Sequence, residues 1–138
     1  MKRSLFVAVL LVIATGAMAA EMTGTARKQF DRETDTALRA YNREDARAFF
    51  TQFARRLEIN TTAESFKSLY VNVYKKQFGN LVSRGDMIED HSAFNEEAAV
   101  TCYEAEFTKV RDGRIVINWK NENGTYKIVM VEFQKNTR

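Results

Sequence analysis

Ala98-Ala-Val-Thr-Cys-Tyr-Glu-Ala-Glu-Phe-Thr-Lys109 opens a segment that continues to Gln134 and indicates the fold of this chain most clearly. Its side chains alternate in character, as is typical of a strand with one face on a core. The parity predicted to face the core carries Thr101, Tyr103, Ala105 and Phe107. The opposite parity, predicted to face water, carries Cys102, Glu104 and Glu106 after Val100.

Two further strands follow in the same segment. Arg114 to Lys120 alternates again, with Ile115, Ile117 and Trp119 on the core face. Tyr126 to Phe133 is apolar on both parities, so we predict that it is a central strand or is covered by a partner. Asn123-Gly124 is a strong hairpin signal, because both residues tolerate positive φ. The segment therefore predicts an antiparallel meander.

The N-terminal residues have the three parts of a secretory signal peptide. Lys2 and Arg3 form a basic start, residues 5–14 form an apolar run, and Ala17-Met18-Ala19 is a small-residue cleavage site. The alternative is an uncleaved membrane anchor, but the apolar run is shorter than the span of about 20 residues that a membrane helix needs. We therefore predict a signal peptide over residues 1–19 and export of the protein, to the periplasm or out of the cell.

Cleavage would leave residues 20–138 as a single domain, without stable membrane insertion and long enough to bury a core. The whole chain has 21 Lys and Arg residues against 18 Asp and Glu residues. Because Lys2 and Arg3 leave with the leader, the mature chain is nearly neutral, and its charge gives no reason to expect nucleic-acid binding. Cys102 is the single cysteine, which excludes an internal disulfide, and we predict a partly buried free thiol.

Three helices are predicted ahead of the meander. The first covers Met22 to Asn42, and its apolar face is Phe30, Thr34, Ala37, Leu38 and Tyr41. The second follows Asn42 as its N-cap and carries Ala46, Phe49, Phe50, Phe53 and Leu57, although one bent helix over residues 24–58 is an alternative. The third opens at the capping box Thr61-Thr62-Ala63-Glu64 and ends at Gly79-Asn80.

A short strand in two halves, Leu81 to Ser83 and Met87 to Ser92, is predicted between the third helix and the meander. Gly85 lies between the halves, where a bulge would bend the strand around a curved sheet. Three helices followed by four strands predict an α+β domain, with the N-terminal helices packed on one face of a four-stranded antiparallel sheet.

Three short segments carry a family resemblance. They are Ala37-Leu-Arg-Ala-Tyr-Asn-Arg-Glu-Asp-Ala46, Tyr103-Glu-Ala-Glu-Phe107 and Asn123-Gly-Thr-Tyr-Lys-Ile128. Together they resemble the nuclear transport factor two-like, or cystatin-like, superfamily over most of the mature chain, although Tyr126 stands where the family usually has Trp. The resemblance implies a cone-like sheet wrapped around a helix, often with a pocket inside. Because isomerases, cyclases, dehydratases and non-catalytic binding modules share this fold, it does not select a function.

The sequence offers few residues for catalysis. His91 adjoins Asp90, but strand neighbours point to opposite faces, so we expect a surface histidine. Glu104 and Glu106 share the polar face of their strand, and only Glu132 falls in step with the core parity of Tyr126, Ile128 and Met130. The scattered acids, one His and one Cys give no metal-ligand spacing, and we expect no metal and no cofactor.

Aromatic residues with polar tips are the best candidates for ligand binding, since each can present an apolar body and a hydrogen-bonding group to a cavity. Ordinary core packing, with the hydroxyl at the rim, is the alternative interpretation. The candidates are Tyr41, Tyr70, Tyr74, Tyr103, Trp119 and Tyr126.

The function expected first is an exported, non-enzymatic binding or interaction module. It would take a small apolar ligand or form a homodimer through the outer sheet face, where Val129, Val131 and Phe133 would need cover. The alternative is a small cofactor-free isomerase or cyclase-like enzyme that uses Glu132 or His91 with tyrosines. A structural accessory of a larger envelope assembly is the third possibility.

Overall fold

The computed structural model describes residues 24–55 and 61–136, and it shows the predicted α+β order of helices followed by an antiparallel sheet. The signal peptide predicted for residues 1–19 lies outside the described residues. In the described part of the chain, no helix is long and apolar enough to cross a membrane. The helices are α1 (Gly24–Arg43), α2 (Ala46–Phe50) and a third helix, α3, that is α-helical over Ala63–Phe66, π-helical over Lys67–Lys75 and α-helical again over Lys76–Phe78. The strands are β1 (Leu81–Met87), β2 (Ala93–Phe94), β3 (Ala98–Phe107), β4 (Gly113–Glu122) and β5 (Thr125–Lys135).

The break between α1 and α2 is sharp, so the single bent helix is excluded. Glu44 has a positive φ of 57°, and Asp45 is the N-cap of α2, accepting a hydrogen bond from the backbone N–H of Ala48. The prediction of Asn42 as N-cap was wrong. Asn42 instead pairs with the backbone of Leu81, accepting at 2.8 Å and donating at 3.0 Å, because the chain reverses only after it.

The third helix begins at a capping box, one residue later than predicted. Thr62 is the N-cap, and its partner is Ser65 rather than Glu64. The helix ends at Gly79, whose φ of 78° is the left-handed conformation that glycine adopts without strain. The second helix is shorter than predicted, ending at Phe50, and Leu57 lies outside the described residues.

The sheet order is β1-β3-β4-β5, and β2 also pairs with β3, so the described residues form five strands rather than the predicted four. The register of β1 against β3 shifts between Arg84 and Met87, which confirms a bulge around Gly85. The second half of the predicted strand was wrong. Residues Glu89–His91 form a 3-10 turn, and only Ala93–Phe94 resumes pairing with β3.

The core face of the meander is as predicted, but the opposite face is more buried than predicted. Tyr103, Ile117 and Trp119 are buried against the helices. Cys102, predicted to face water, and its cross-strand neighbour Val116 lie on the other face and are also buried. They form a small second cluster with Val100, onto which Ile88, Ala93 and Ala98 pack. The turn between β1 and β2 therefore covers part of the outer face. Cys102 is a free thiol, as predicted, but it is buried rather than partly buried.

A bulge explains why β5 is apolar on both parities. Asn118 pairs with Met130 and Trp119 pairs with Ile128, which leaves Val129 as an extra residue. The bulge shifts the parity, so that Ile128, Val131 and Phe133 all belong to the main core. The predicted outer patch of Val129, Val131 and Phe133 was therefore wrong for Val131 and Phe133. Glu132 pairs with Val116 and lies on the outer face, so its predicted core position was also wrong.

Candidate functional site

Three of the six candidate aromatic residues lie together at one end of the interior. Tyr41 contacts Phe133 edge to face, with ring centroids 5.0 Å apart, and Tyr74 lies 4.9 Å from the same ring. Tyr70 bridges to α2, with its ring 4.6 Å from that of Phe49. Such tilted and edge-to-face pairs are favourable arrangements of aromatic rings. The space between α1, α3 and the sheet is thus occupied by side chains at this end.

The hydroxyl groups of this first group bond to the protein itself. Tyr41 donates to the carbonyl oxygen of Gly79 at 2.7 Å, and Tyr70 donates to that of Val131 at 2.9 Å. Burial raises the pKa of both hydroxyls well above the usual tyrosine range. Burial also raises the pKa of Tyr74 to about 12, with a contribution from the charge of Glu132. Tyr41 and Tyr70 are therefore neutral hydrogen-bond donors at physiological pH, and Tyr74 also keeps its proton there.

A second aromatic group lies at the hairpin end of the sheet. Phe30 packs on Trp119 at 4.9 Å and on Tyr126 at 5.2 Å. The indole N–H of Trp119 donates to the Thr101 hydroxyl at 2.9 Å, and the Tyr126 hydroxyl donates to the carbonyl oxygen of Asn95. The polar tips of this group also serve internal hydrogen bonds, and the group is separate from the first one.

Tyr103 belongs to a third cluster, in which charged side chains of α1 and β1 surround its ring and hydroxyl. Its hydroxyl donates to Asp31 Oδ1 of α1 at 2.8 Å. The guanidinium carbon of Arg84 lies 5.0 Å from the centre of the Tyr103 ring. Asp35, one turn after Asp31, holds that guanidinium with two hydrogen bonds, from Nε at 2.9 Å and from Nη2 at 2.8 Å.

Arg84 and Tyr103 each donate hydrogen bonds to a carboxylate of α1 in this cluster. Hydrogen bonding to Asp35 raises the pKa of Arg84, so the guanidinium stays charged. Burial raises the pKa of Tyr103, and the hydrogen bond to Asp31 raises it further, because the neutral phenol is the form that can donate to a carboxylate. The cluster therefore contains an acid and a positioned tyrosine, but the tyrosine's proton is already committed to the acid.

The residues predicted for the enzyme alternative do not meet in one site. His91 is exposed in the 3-10 turn, and Glu132 faces outward from β5. Glu104 is exposed and Glu106 is partly exposed on the outer face, as predicted. Within residues 24–55 and 61–136, no group of three His, Cys, Asp or Glu side chains is placed to hold a metal ion.

Sequence reasoning missed Asp31, Asp35 and Arg84. Asp31 lies outside the apolar face predicted for α1, and a polar helical residue outside that face is usually exposed. A usable signal was present: Asp31 and Asp35 are one turn apart, and Arg84 stands beside the predicted bulge at Gly85, where a charged side chain can turn inward.

The fold is shared with several solved structures of low sequence identity. A cystatin-like protein of unknown function from Nostoc punctiforme matches with a TM-score of 0.58 at 11% identity, covering 85% of this chain and 96% of that one. A nuclear transport factor two-like protein of unknown function from Pseudomonas putida matches with a TM-score of 0.56 at 9% identity, covering 83% and 89%. A Novosphingobium aromaticivorans protein, whose name proposes an aromatic ring hydroxylase, matches with a TM-score of 0.62 at 9% identity, covering 86% and 94%.

The protein therefore has the cystatin-like, or nuclear transport factor two-like, fold that the sequence resemblance implied. Identities this low show the fold and not the activity. No protein-family model and no curated protein matches the chain.

Proposed function

We propose that this protein is an exported, non-enzymatic interaction module that binds its partner through its surface. The observation that carries the proposal is the state of the interior polar groups. Tyr41, Tyr70, Tyr103 and Trp119 each donate to another group of the same chain. A ligand entering the interior would have to displace these bonds, and leaving a buried polar group unpaired costs about 1–3 kcal/mol each.

The packing of the rings supports the same proposal. The aromatic contacts run without a break from Phe49 through Tyr70 and Phe133 to Phe107. An interior that binds a small molecule needs room of roughly 300 Å3 or more. Opening that room would require several of these ring contacts to separate at once.

The second candidate is an enzyme of the isomerase or cyclase type. Its base would be Asp31, whereas the sequence suggested Glu132 or His91. The favouring observation is the 2.8 Å hydrogen bond between Tyr103 and Asp31, which would position a carboxylate base beside the Arg84 guanidinium. Such a site would need an interior pocket that opens onto Asp31.

A titration of residues 20–138 with the apolar dye 1-anilinonaphthalene-8-sulfonate separates the two candidates. The interaction module predicts no saturable one-to-one binding. The enzyme predicts saturable binding at one site per chain, strengthened by Asp31→Asn, which removes a negative charge beside the anionic dye, but unaffected by Glu104→Gln on the exposed outer face. Saturable binding that depends on Asp31 would overturn the proposed function.

A further inference from the structure

We propose that the partner is a linear acidic polysaccharide that carries carboxylate groups, and that it binds along the solvent-facing side of α1. The contact surface is a row of four cations on that helix, which we call the α1 basic stripe: Lys28, Arg32, Arg39 and Arg43. This inference deepens the proposed function and rests on it, since it names the interacting surface and the chemical class of the partner.

The α1 basic stripe is narrow and faces away from the core. Because an α-helix has about 3.6 residues per turn and rises about 1.5 Å per residue, the four positions fall within an arc of about 60° and extend over about 22 Å. All four residues are exposed. The opposite side of the helix carries the buried residues Phe30, Ala37 and Tyr41, which belong to the main core. The stripe is therefore a straight, accessible line of positive charge.

The charged residues of α1 are separated by sign. Its acids, Asp31, Glu33 and Asp35, are all partly buried. Asp31 accepts a hydrogen bond from Tyr103, and Asp35 accepts two from Arg84. Every charged residue of α1 that is fully exposed is therefore basic, although the predicted mature chain as a whole is nearly neutral.

Most of the stripe is not paired within the protein. Lys28, Arg32 and Arg39 form no ion pair with any carboxylate of residues 24–55 and 61–136. Arg39 donates a hydrogen bond of 3.3 Å to the neutral hydroxyl of Thr36. Arg43 lies 3.8 Å from Asp45, with both side chains largely exposed, and such pairs are weak. The charges of the stripe are therefore available to a partner.

The spacing of these cations does not favour the helix. Lys28 and Arg32 are four residues apart, and so are Arg39 and Arg43. Side chains at this spacing are neighbours along a helix, so two like charges destabilise it, whereas an acid paired with a base would stabilise it. A partner with negative charges along its length would offset the repulsion. Three of the four cations are arginines, which bind carboxylates through two parallel hydrogen bonds.

The residues around the stripe favour a polysaccharide over other polyanions. The remaining exposed residues of α1 are Gly24 and Thr25, so the helix has no exposed apolar side chain to enter a lipid surface. In the described part of the chain no aromatic residue is exposed, so nucleic-acid bases would find no ring to stack on. A linear polysaccharide needs neither feature, because its charges repeat along one line. The export predicted from the sequence would also bring the protein to the periplasm or the cell exterior, where acidic polysaccharides occur.

Isothermal titration calorimetry of residues 20–138 with oligogalacturonate tests this inference. We expect binding that weakens as salt is added, and no binding of the fully methyl-esterified polymer, which has the same sugars without the charges. Lys28→Gln and Arg39→Gln should each weaken binding by about twofold to fivefold, and the triple variant with Arg32→Gln by about tenfold or more. Lys120→Gln, at an exposed position of β4 on the sheet face opposite the helices, is the matched control and should bind like the wild type.

Thermal unfolding separates a lost contact from a lost fold. Each glutamine variant of the stripe should unfold at the wild-type temperature or above it, because the repulsion along α1 is relieved. A wild type that does not bind oligogalacturonate overturns the inference, and so does an equal loss of binding in Lys28→Gln and Lys120→Gln. Tighter binding of duplex DNA or of phosphatidylglycerol vesicles, lost in the same triple variant, overturns the choice of a polysaccharide.

The proposed function and this inference fail in different experiments. A chain that binds neither oligogalacturonate nor the dye leaves the proposed function standing without this partner. Saturable dye binding that depends on Asp31 overturns the proposed function even in a chain that binds the polymer.

Discussion

The Tyr103 hydroxyl shows how one hydrogen bond can serve the fold instead of a reaction. Tyr103 is fully buried, and the acid that it contacts, Asp31, belongs to the helix packed over it. Hydrogen bonds to charged groups are stronger than neutral ones, so this contact ties α1 to β3.

Tyr103→Phe should lower the free energy of unfolding by about 1–3 kcal/mol, because Asp31 loses a charge-assisted donor. Tyr126→Phe is the matched control. Its hydroxyl donates to a neutral carbonyl, so the loss should be about 0.5–1.5 kcal/mol. Urea unfolding of both variants measures the difference. An equal loss in the two variants would show that the charge of Asp31 contributes nothing to the contact.

Tyr74 makes the free energy of unfolding fall as the pH becomes alkaline. Burial raises its pKa from 10.0 to about 12, so the folded state holds this proton more tightly than the unfolded state. The stabilisation is fully present below pH 10 and is lost as the pH rises towards 12. Urea unfolding at pH 9, 10 and 11 should therefore show a smaller loss of stability in Tyr74→Phe than in the wild type, although Tyr41, Tyr70 and Tyr103 keep part of the slope. Identical slopes would contradict the burial of the Tyr74 hydroxyl.

At the scale of elements, the helical part of the chain contacts both edge strands of the sheet as well as covering one face. The Asn42 side chain binds the backbone of β1, and residues 52–54 form a parallel bridge with Ile128 of β5. Tyr70 and Gln29 add side-chain hydrogen bonds to the carbonyl oxygens of Val131 and Tyr126. Covered edges of this kind protect a sheet from pairing with other chains.

The end of α3 depends on Gly79. Its φ is 78°, and a Cβ there would lie 1.9 Å from the Thr108 hydroxyl oxygen. Gly79→Ala should cost about 2–4 kcal/mol of stability, from left-handed backbone strain and from the displacement of Thr108. Gly24→Ala is the control, since a Cβ at Gly24 meets no atom within 4 Å, and it should leave stability unchanged or raise it by up to about 1 kcal/mol. Thermal unfolding measures both, and a neutral Gly79→Ala would contradict this helix end.

The predictable elements were those with a local signal. The alternation of Tyr103 and Ala105 with Glu104 and the hairpin pair Asn123-Gly124 are patterns in neighbouring residues, and both predictions were confirmed. The bulge at Val129 was not predictable in this way, because an apolar residue fits either face of a strand and only the pairing with β4 determines which face it takes. Because the sequence prediction did not include the resulting parity shift, it assigned Glu132 and Phe133 to the wrong faces.

At the scale of the whole molecule, the sequence predicted the fold better than it predicted the site. The order of elements and the resemblance both led to the cystatin-like fold, which the solved structures share. The candidate aromatic residues are buried or partly buried, but their division into separate clusters depends on contacts between distant segments, which the sequence pattern does not show. The pairing of Asp31 with Tyr103 is such a contact, and it spans most of the described chain.

We propose that side chains fill the interior, so that binding takes place on the surface. A crystal of residues 20–138 pressurised with xenon tests this proposal, because xenon enters apolar cavities that are large enough to hold it. We expect no xenon between α1, α3 and the sheet. Xenon bound there in contact with Tyr41 or Trp119 would contradict it and would favour a ligand-binding interior.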